Sequence, residues 1–333
     1  MAKKRVLVLI SQYPQLSQTY KESEIKYLSA DYEIRVATWD KPDLSYHSHH
    51  AFSRFSTLKE LEKIVTDFRP DIIHGHYLHR SDVVHHASKI AGVPYTVRFH
   101  SFDVLGRNRD YFDKYSKFIN HELCLGALTF PFTIAELVAN GINQEKLVAD
   151  WPVVDFKRFY DTSPNGKTIL NVGACIRKKN MRSFVDLAAM MPHRDFALQP
   201  IGYNNDKIIG YNRQKGSPVR VLDCVEPYNM PAVYKGCEWL IYSADRDIPM
   251  VGWPMAVAEA QAAGVGVIML RIRPDIDEFV GEAGFVVDDI SEIPNILAEP
   301  FPEEKRQLGF EQARKSDIAE NIKKLENLWA IQA

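Results

Sequence analysis

A chain of 333 residues, 46% hydrophobic and 25% charged, has an ordinary soluble composition but is too long for one hydrophobic core. Its net charge of −2 argues against a general nucleic-acid binder. No apolar run approaches the roughly 18 residues of a membrane span.

The opening MAKKRVLVLISQYP imitates a signal peptide, but its apolar run stops at Gln12 and Pro14, so it reads as a first buried strand. After RVLVLI comes a helix from about Ser17 to Ala30, then EIRVAT, a helix over Thr57–Asp67, DIIHGH, a helix over Ser81–Ala91, and YTVRFH. Short β-branched runs alternating with amphipathic segments indicate βαβ units and a parallel sheet. Proline, serine, asparagine and glycine break the pattern between Trp151 and Lys167, as in a linker. It restarts with TILNVG, a helix over Met181–Met190, DFALQPIG, VRVLD, a helix over Pro231–Gly236, EWLIYSA, VGWPMAVAEAQAAGVGVIML and FVVDD. A helical tail follows from about Glu303 to Trp329. The reading is α/β: two doubly wound, Rossmann-like domains over 1–155 and 156–305, and a tail over 306–333 packing back on the first. The four cysteines form no CxxC pair, which suits a reduced, cytoplasmic protein without a zinc site.

Open α/β sheets bind ligands beyond the C-terminal ends of their strands. The first glycine is Gly75, so the first βα turn has no dinucleotide fingerprint, and NVGACIRKKN contains no phosphate loop. Instead Arg177, Lys178 and Lys179 enter a helix, where cations and free N–H groups make an anion site. Gly252 to Met255 leads into a second helix start, with Pro254 suited to the first helical position. One turn on, Glu259 is placed to accept hydrogen bonds from vicinal sugar hydroxyls.

Other clusters read as structural or local. Asp245-Arg246-Asp247 imitates a metal-binding DxD motif, but such folds lack the second α/β domain. YHSHH reads as a solvated loop. His76, ending a strand, is a candidate for substrate contact, and Asp103 is placed to orient His100 or an acceptor hydroxyl. Glu22 and Glu24 sit in the first turns of a helix, where negative charge is favourable. GRNRDYFDKYSKF reads as an amphipathic helix packing Tyr111, Tyr115 and Phe118 inward.

VGWPMAVAEAQAAGVGVIM followed by DEFVGEAGFVV resembles the signature of GT-B glycosyltransferases of family 4, the glycosyl transferases group 1. YPQLSQTYKESEI, RPDIIHGHYLHRSDVVHHASKIAGVPYTVRFHSFDVL, VVDFKRFY and NVGACIRKKN resemble further family segments in the same order. The resemblance implies two domains facing a cleft and a retaining, metal-independent transfer from a nucleotide-diphosphate sugar to an acceptor hydroxyl, with no cofactor besides the donor. It implies donor contacts by Arg177, Lys179, Gly252, Met255 and Glu259, with Glu259 on the ribose and Lys179 on the diphosphate. It places His100 at the transferred sugar with Asp103 beside it, and makes Ser17, Thr19 and His76 acceptor-side candidates. The acceptor stays open among a glycan, a lipid-linked saccharide, a small molecule and modified nucleic acid, and so does peripheral attachment to a membrane. The sequence departs from the pattern at Val251, where a first glutamate is expected, at Ala174 in place of an arginine, and at Asp223 in place of a glycine. These departures motivate an alternative: a catalytically silent protein that binds a nucleotide sugar or a partner subunit.

Overall fold

The structure, a computed structural model, describes residues 3–44, 49–202, 204–248 and 250–330. It divides into two compact units, residues 1–153 with 318–333, and residues 154–317.

The first unit holds a seven-stranded sheet in the order β3-β2-β1-β4-β5-β6-β7, every pair parallel. Its strands are β1 Arg5–Ile10, β2 Glu33–Thr38, β3 Phe52–Arg54, β4 Ile72–His76, β5 Tyr95–Arg98, β6 Cys124–Thr129 and β7 Leu147–Ala149. Before residue 154 the helices of this unit are α1 Thr19–Leu28, α2 Leu58–Phe68, α3 Ser81–Ala91, α4 Ser101–Val104, α5 Arg109–Ile119 and α6 Ile134–Ala139. The central strands are apolar on both faces because helices cover both; β1 is buried from Val6 to Ile10. Local signals set the helix ends: the Thr57 side chain accepts from the Glu60 N–H at 3.2 Å to start α2, and Gly92 ends α3 in the left-handed region. Gly75 lets α3 approach β4, since a Cβ there would lie 2.2 Å from a Val84 methyl.

The second unit repeats the plan with six parallel strands ordered β10-β9-β8-β11-β12-β13. They are β8 Thr168–Ala174, β9 Phe196–Ile201, β10 Arg220–Val221, β11 Cys237–Tyr242, β12 Gly266–Leu270 and β13 Phe285–Val287. Around them lie α7 Phe156–Phe159, α8 Met181–Met190, α9 Asn205–Gln214, α10 Met230–Lys235, α11 Met255–Ala262, α12 Ile276–Val280, α13 Ile293–Leu297 and α14 Glu303–Arg314. A core of Ile169, Phe184, Phe196, Trp239 and Ile268 fills one face of this sheet.

The C-terminal tail is two helices with different partners. In α14, Phe310 and Ala313 are buried and the helix packs on α11 within the second unit. After Lys315–Asp317 the chain enters α15, Ile318–Ala330, which belongs to the first unit. Ile318, Ile322, Leu325 and Trp329 recur at helical spacing and join the core of Val6, Val8, Ile10 and Leu128.

In each sheet the strand order reverses once, at β1/β4 and at β8/β11. Those switch points are where loops part and leave room for a ligand. The loops after β1 and β4, and those after β8 and β11, are therefore where function is to be sought.

Candidate functional site

In the first unit the strand-end loops build an aromatic and histidine cluster. His100, half-buried at the start of α4, packs against Tyr77, Tyr20 and His76, with ring centroids 4.5, 4.8 and 5.3 Å away. The loop before α1 brings Gln18, whose Oε1 accepts from the hydroxyls of Tyr77 at 2.5 Å and Tyr20 at 2.7 Å. Tyr77 has a positive φ of 78°, a conformation costly for a bulky residue and held here by its N–H donating to the Arg98 carbonyl at 2.8 Å. Beneath the cluster, buried Lys21 donates to the Gln12 carbonyl at 3.0 Å and to Gln15 Oε1 at 3.3 Å. Burial lowers its pKa to about 7.

Asp103 is fully buried, and its carboxylate is occupied. Oδ1 accepts from the His100 backbone N–H at 2.7 Å and Oδ2 accepts from the Leu78 N–H. It ties the loop after β4 to the loop after β5 and meets the backbone of His100, so it does not orient the ring. Burial pushes its pKa up to about 7, against the pull of those N–H donors. His76 has no exposed surface; it lies between His100 and Glu24 and reaches a ligand only through its neighbours. Ser17 is exposed in the loop before α1, and Thr19 is half-buried at that helix's first residue.

Below the histidines lies a charged cluster that the sequence assigned only to a helix start. Glu24 Oε2 accepts from Arg98 Nε at 2.6 Å, and Arg98 also pairs with Asp150, which Lys324 of α15 approaches at 3.2 Å. Glu24 Oε1 stands 3.0 Å from His74 Nε2 and 3.2 Å from His76 Nε2. These three residues form the group of metal-ligand type found among the described residues. His47 of YHSHH lies outside those residues, and the His50 N–H donates to the Tyr13 hydroxyl at 2.8 Å. In α5 the buried residues are Phe112 and Ile119, with Tyr111, Tyr115 and Phe118 only half-buried.

In the second unit, β8 ends in Gly173 and Ala174, and a short turn carries Arg177, Lys178 and Lys179 before α8. Gly173 has φ 137°, and a Cβ there would lie 2.3 Å from Lys179 Nζ. Glycine is therefore what lets the lysine cross the strand end. Lys179 Nζ sits 5.6 Å from the Tyr242 ring centroid. Burial and the neighbouring Lys178 lower its pKa to about 8, opposed by Cys175 and Glu259. Lys178 is committed elsewhere, donating to the Met250 carbonyl at 3.0 Å. Arg177 is exposed and borders a pocket of about 610 Å³ with Arg182, Lys207 and Asp245. Arg182 and Lys207 were not anticipated. Each stands alone in a helical pattern, and only the fold brings it to the pocket.

Glu259 on α11 is 8% exposed and its Oε2 accepts from the Tyr234 hydroxyl at 2.9 Å. Burial raises its pKa, offset by Tyr234, Arg158 and Lys179. A carboxylate on a helix of small residues is thus an inward group with a tyrosine partner. Pro254 is the residue before α11, which starts at Met255, so the expected helix start moves by one position. The preceding loop is clamped: Arg273 Nη1 donates to the Val251 carbonyl at 2.6 Å, and Trp253 Nε1 donates to Asp275 Oδ2 at 2.8 Å. Val251 and Gly252 are buried. Asp247 is exposed, while Asp245 Oδ1 accepts from the Asp247 N–H at 3.0 Å.

Two parallel sheets with flanking helices, each with its switch-point loops furnished in this way, are the GT-B architecture. HepE from Anabaena, solved with UDP and glucose, is similar over 98% of this chain and 99% of its own, with a TM-score of 0.79 and 14% identity. Sucrose-phosphate synthase from Thermosynechococcus elongatus is similar over 99% and 100%, with a TM-score of 0.75 and 13% identity. The lipopolysaccharide outer core galactosyltransferase WaaB is similar over 99% and 100%, with a TM-score of 0.65 and 13% identity. A search of curated proteins gave no match. Residues 166–299 match the family model for glycosyl transferases group 1, and residues 17–120 match that for glycosyl transferase 4-like proteins. The chain belongs to the group 1, family 4-like glycosyltransferases. No helix of the described residues is long and apolar enough to cross a membrane.

Proposed function

We propose that this enzyme transfers a sugar from a nucleotide-diphosphate sugar to an acceptor hydroxyl, with retention and without a metal at the diphosphate. The observation that carries the reading is the Lys179 side chain laid across Gly173, at the end of β8, its ammonium with neither a hydrogen bond nor an ion pair among the described residues. A cation kept in that state is a preformed partner for an anion. The crystal structures of HepE with UDP and with UDP-glucose support a uridine nucleotide as the first donor to try.

In this reading Lys179 and exposed Arg177 take up the charge that grows on the diphosphate as the sugar–phosphate bond breaks, which is electrostatic catalysis by fixed charges. The first-turn N–H groups of α11, at Met255 and reached past Gly252, add partial positive charge. Glu259 accepts from the ribose hydroxyls through Oε1, because Tyr234 already holds Oε2. His100 bounds the transferred sugar, and Ser17 and Thr19 lie on the acceptor side. Retention follows from attack on the face the diphosphate leaves, with a phosphate oxygen taking the acceptor's proton, so no carboxylate nucleophile is needed. Val251 gives the sugar an apolar contact where the family pattern has a carboxylate, which favours a sugar lacking the hydroxyl that carboxylate would read.

The test is a panel of UDP-, GDP-, ADP-, CMP- and dTDP-sugars monitored by ligand-observed NMR, with Glu259→Ala and Lys179→Ala as controls. One nucleotide family should bind, and both substitutions should weaken it at least tenfold, about 1.4 kcal/mol. Binding without donor hydrolysis or transfer to any acceptor would point to the silent alternative. No binding to folded protein would overturn the donor site.

A further inference from the structure

The first unit contains one group of titratable side chains that the proposed reaction does not use: Glu24, His74 and His76, all fully buried. Their contacts fix where the protons sit. The indole N–H of Trp329 can only donate, and it gives its proton to Thr96 Oγ1 at 3.1 Å. The Thr96 hydroxyl can then donate to His74 Nδ1 at 2.8 Å, an arrangement in which a His74 N–H on Nε2 faces Glu24 Oε1. The same logic holds for His76. Its Nε2 is 3.2 Å from Glu24 Oε1, outside hydrogen-bond geometry, but at that distance a lone pair would oppose the carboxylate's negative charge and an N–H is favoured electrostatically. His76 Nδ1 is therefore an acceptor, and its partner at 3.1 Å, His100 Nε2, must be the donor. From the other side, the capping box of α4 sets the Asp103 N–H against the His100 ring, which requires an acceptor there and so again puts the proton on Nε2.

We infer that Glu24 is a positioning residue: acting through His76, it holds His100 as the neutral Nε2–H tautomer, a ring that shapes the sugar site without exchanging a proton there. This rests on the reading above that His100 bounds the transferred sugar. Arg98 on the other oxygen of Glu24 keeps that carboxylate charged, since it lowers the Glu24 pKa well below the usual range. Burial lowers the pKa of His76 to about 4 and holds that of His100 well below the usual imidazole range, so both rings stay neutral near pH 7. The orienting carboxylate thus comes from α1, far from His100 in sequence, while the Asp103 carboxylate beside the histidine secures only backbone N–H groups.

The experiment is long-range ¹H–¹⁵N correlation on protein labelled with ¹⁵N-histidine, the His76 and His100 signals being assigned with His100→Gln and His76→Gln. Both rings should show a pyrrole-type Nε2 and a pyridine-type Nδ1, unchanged from pH 6 to 8. In Glu24→Gln the tautomers should mix or reverse, and transfer should lose about ten- to a hundredfold in kcat with the donor KM nearly unchanged, as misplacement of a site group does. His100→Gln, whose amide can still donate to His76, should retain more activity than His100→Ala. An imidazolium or Nδ1–H form of His100 in the parent protein would overturn the inference. So would retained zinc, or cobalt(II) uptake with loss of the Nε2–H signals, which would make Glu24, His74 and His76 a metal centre instead. The tautomers are read without donor, so a failure of nucleotide binding would sink the donor site and leave this result standing. If Glu24→Gln does not fold, the spectrum of the parent protein decides alone.

Discussion

The two strand-end regions are built on the same topology and treat charge in opposite ways. In the first unit the polar groups are bound to one another: Asp103 to two backbone N–H groups, Tyr20 and Tyr77 to Gln18, Glu24 to Arg98. In the second, Lys179 makes no ion pair among the described residues, and exposed Arg177 borders a pocket that also gathers Arg182 and Lys207. A network whose charges are largely paired within it gives a fixed shape and suits neutral, hydroxyl-bearing ligands. Unpaired cations cost stability and are tolerated where an anion will complete them. On the reading proposed above, the cations of the second unit are the partners of the donor diphosphate.

The strongest way to break this comparison is Arg98→Leu. It strands the Glu24 and Asp150 carboxylates inside the first unit, and removal of one partner from a buried ion cluster costs about 3–5 kcal/mol. Urea unfolding should show that loss, whereas Arg177→Ala should move stability by less than about 0.5 kcal/mol and act on nucleotide binding alone. Equal effects from the two would mean that the network's charges are not paired within it.

Gly173→Ala attacks the other region at its backbone. The new Cβ meets Lys179 Nζ at 2.3 Å, and φ 137° is itself strained for any other residue. A stability loss of about 1–3 kcal/mol should accompany an affinity loss for nucleotide matching that of Lys179→Ala, measured by calorimetry. If affinity survives, Lys179 does not need to cross the strand.

Titration sharpens the contrast. The folded pKa of Lys179 is about 8 against an ordinary 10.5, so between those values the unfolded chain binds more protons than the folded one. That contribution to stability therefore rises with pH, while the cation that holds the diphosphate is lost. Nucleotide affinity should fall roughly five-fold from pH 8 to 9, the fall continuing up to the higher pKa that the bound anion gives the lysine. Lys179→Arg should bind with no such dependence, because guanidinium does not titrate in this range.

Much of this organisation is legible in the sequence because buried parallel strands and amphipathic helices carry strong periodicities. β1, β4, β8 and β12 stand out as apolar runs. Two-residue β10 and three-residue β3 and β7 carry too little pattern to be read with their lengths. The tail reads as one helical stretch because both halves are amphipathic; only the partners of Phe310 and Trp329 divide it. Lys179 and Glu259 were visible from motif order, since they lie on the loop and helix that the motif itself defines. Glu24 was not: its meaning depends on His76, Arg98 and Asp150, gathered from β4, β5 and the end of β7 by topology. Long-range polar networks leave no spacing to read.

The smallest effect expected is at Tyr234, and it tests whether the buried Tyr234–Glu259 pair of the second unit belongs to the site. Tyr234→Phe keeps the buried ring beside Phe159 and deletes the hydroxyl that donates to Glu259 Oε2. The lost hydrogen bond and the buried acceptor left behind should cost about 1–2 kcal/mol of stability. That donor helps offset the burial of Glu259, so its removal raises the Glu259 pKa further and weakens the carboxylate as a ribose acceptor at the acid end of the working range. Affinity for a nucleoside diphosphate should fall only two- to five-fold at pH 8, about 0.4–1 kcal/mol, and more at pH 6. A 2′-deoxyribose nucleotide should show less of this loss, because it offers Glu259 one hydroxyl fewer. If both nucleotides lose equally, Tyr234 supports the fold of α10 and α11 rather than the carboxylate, and the second unit meets its ligand with cations alone.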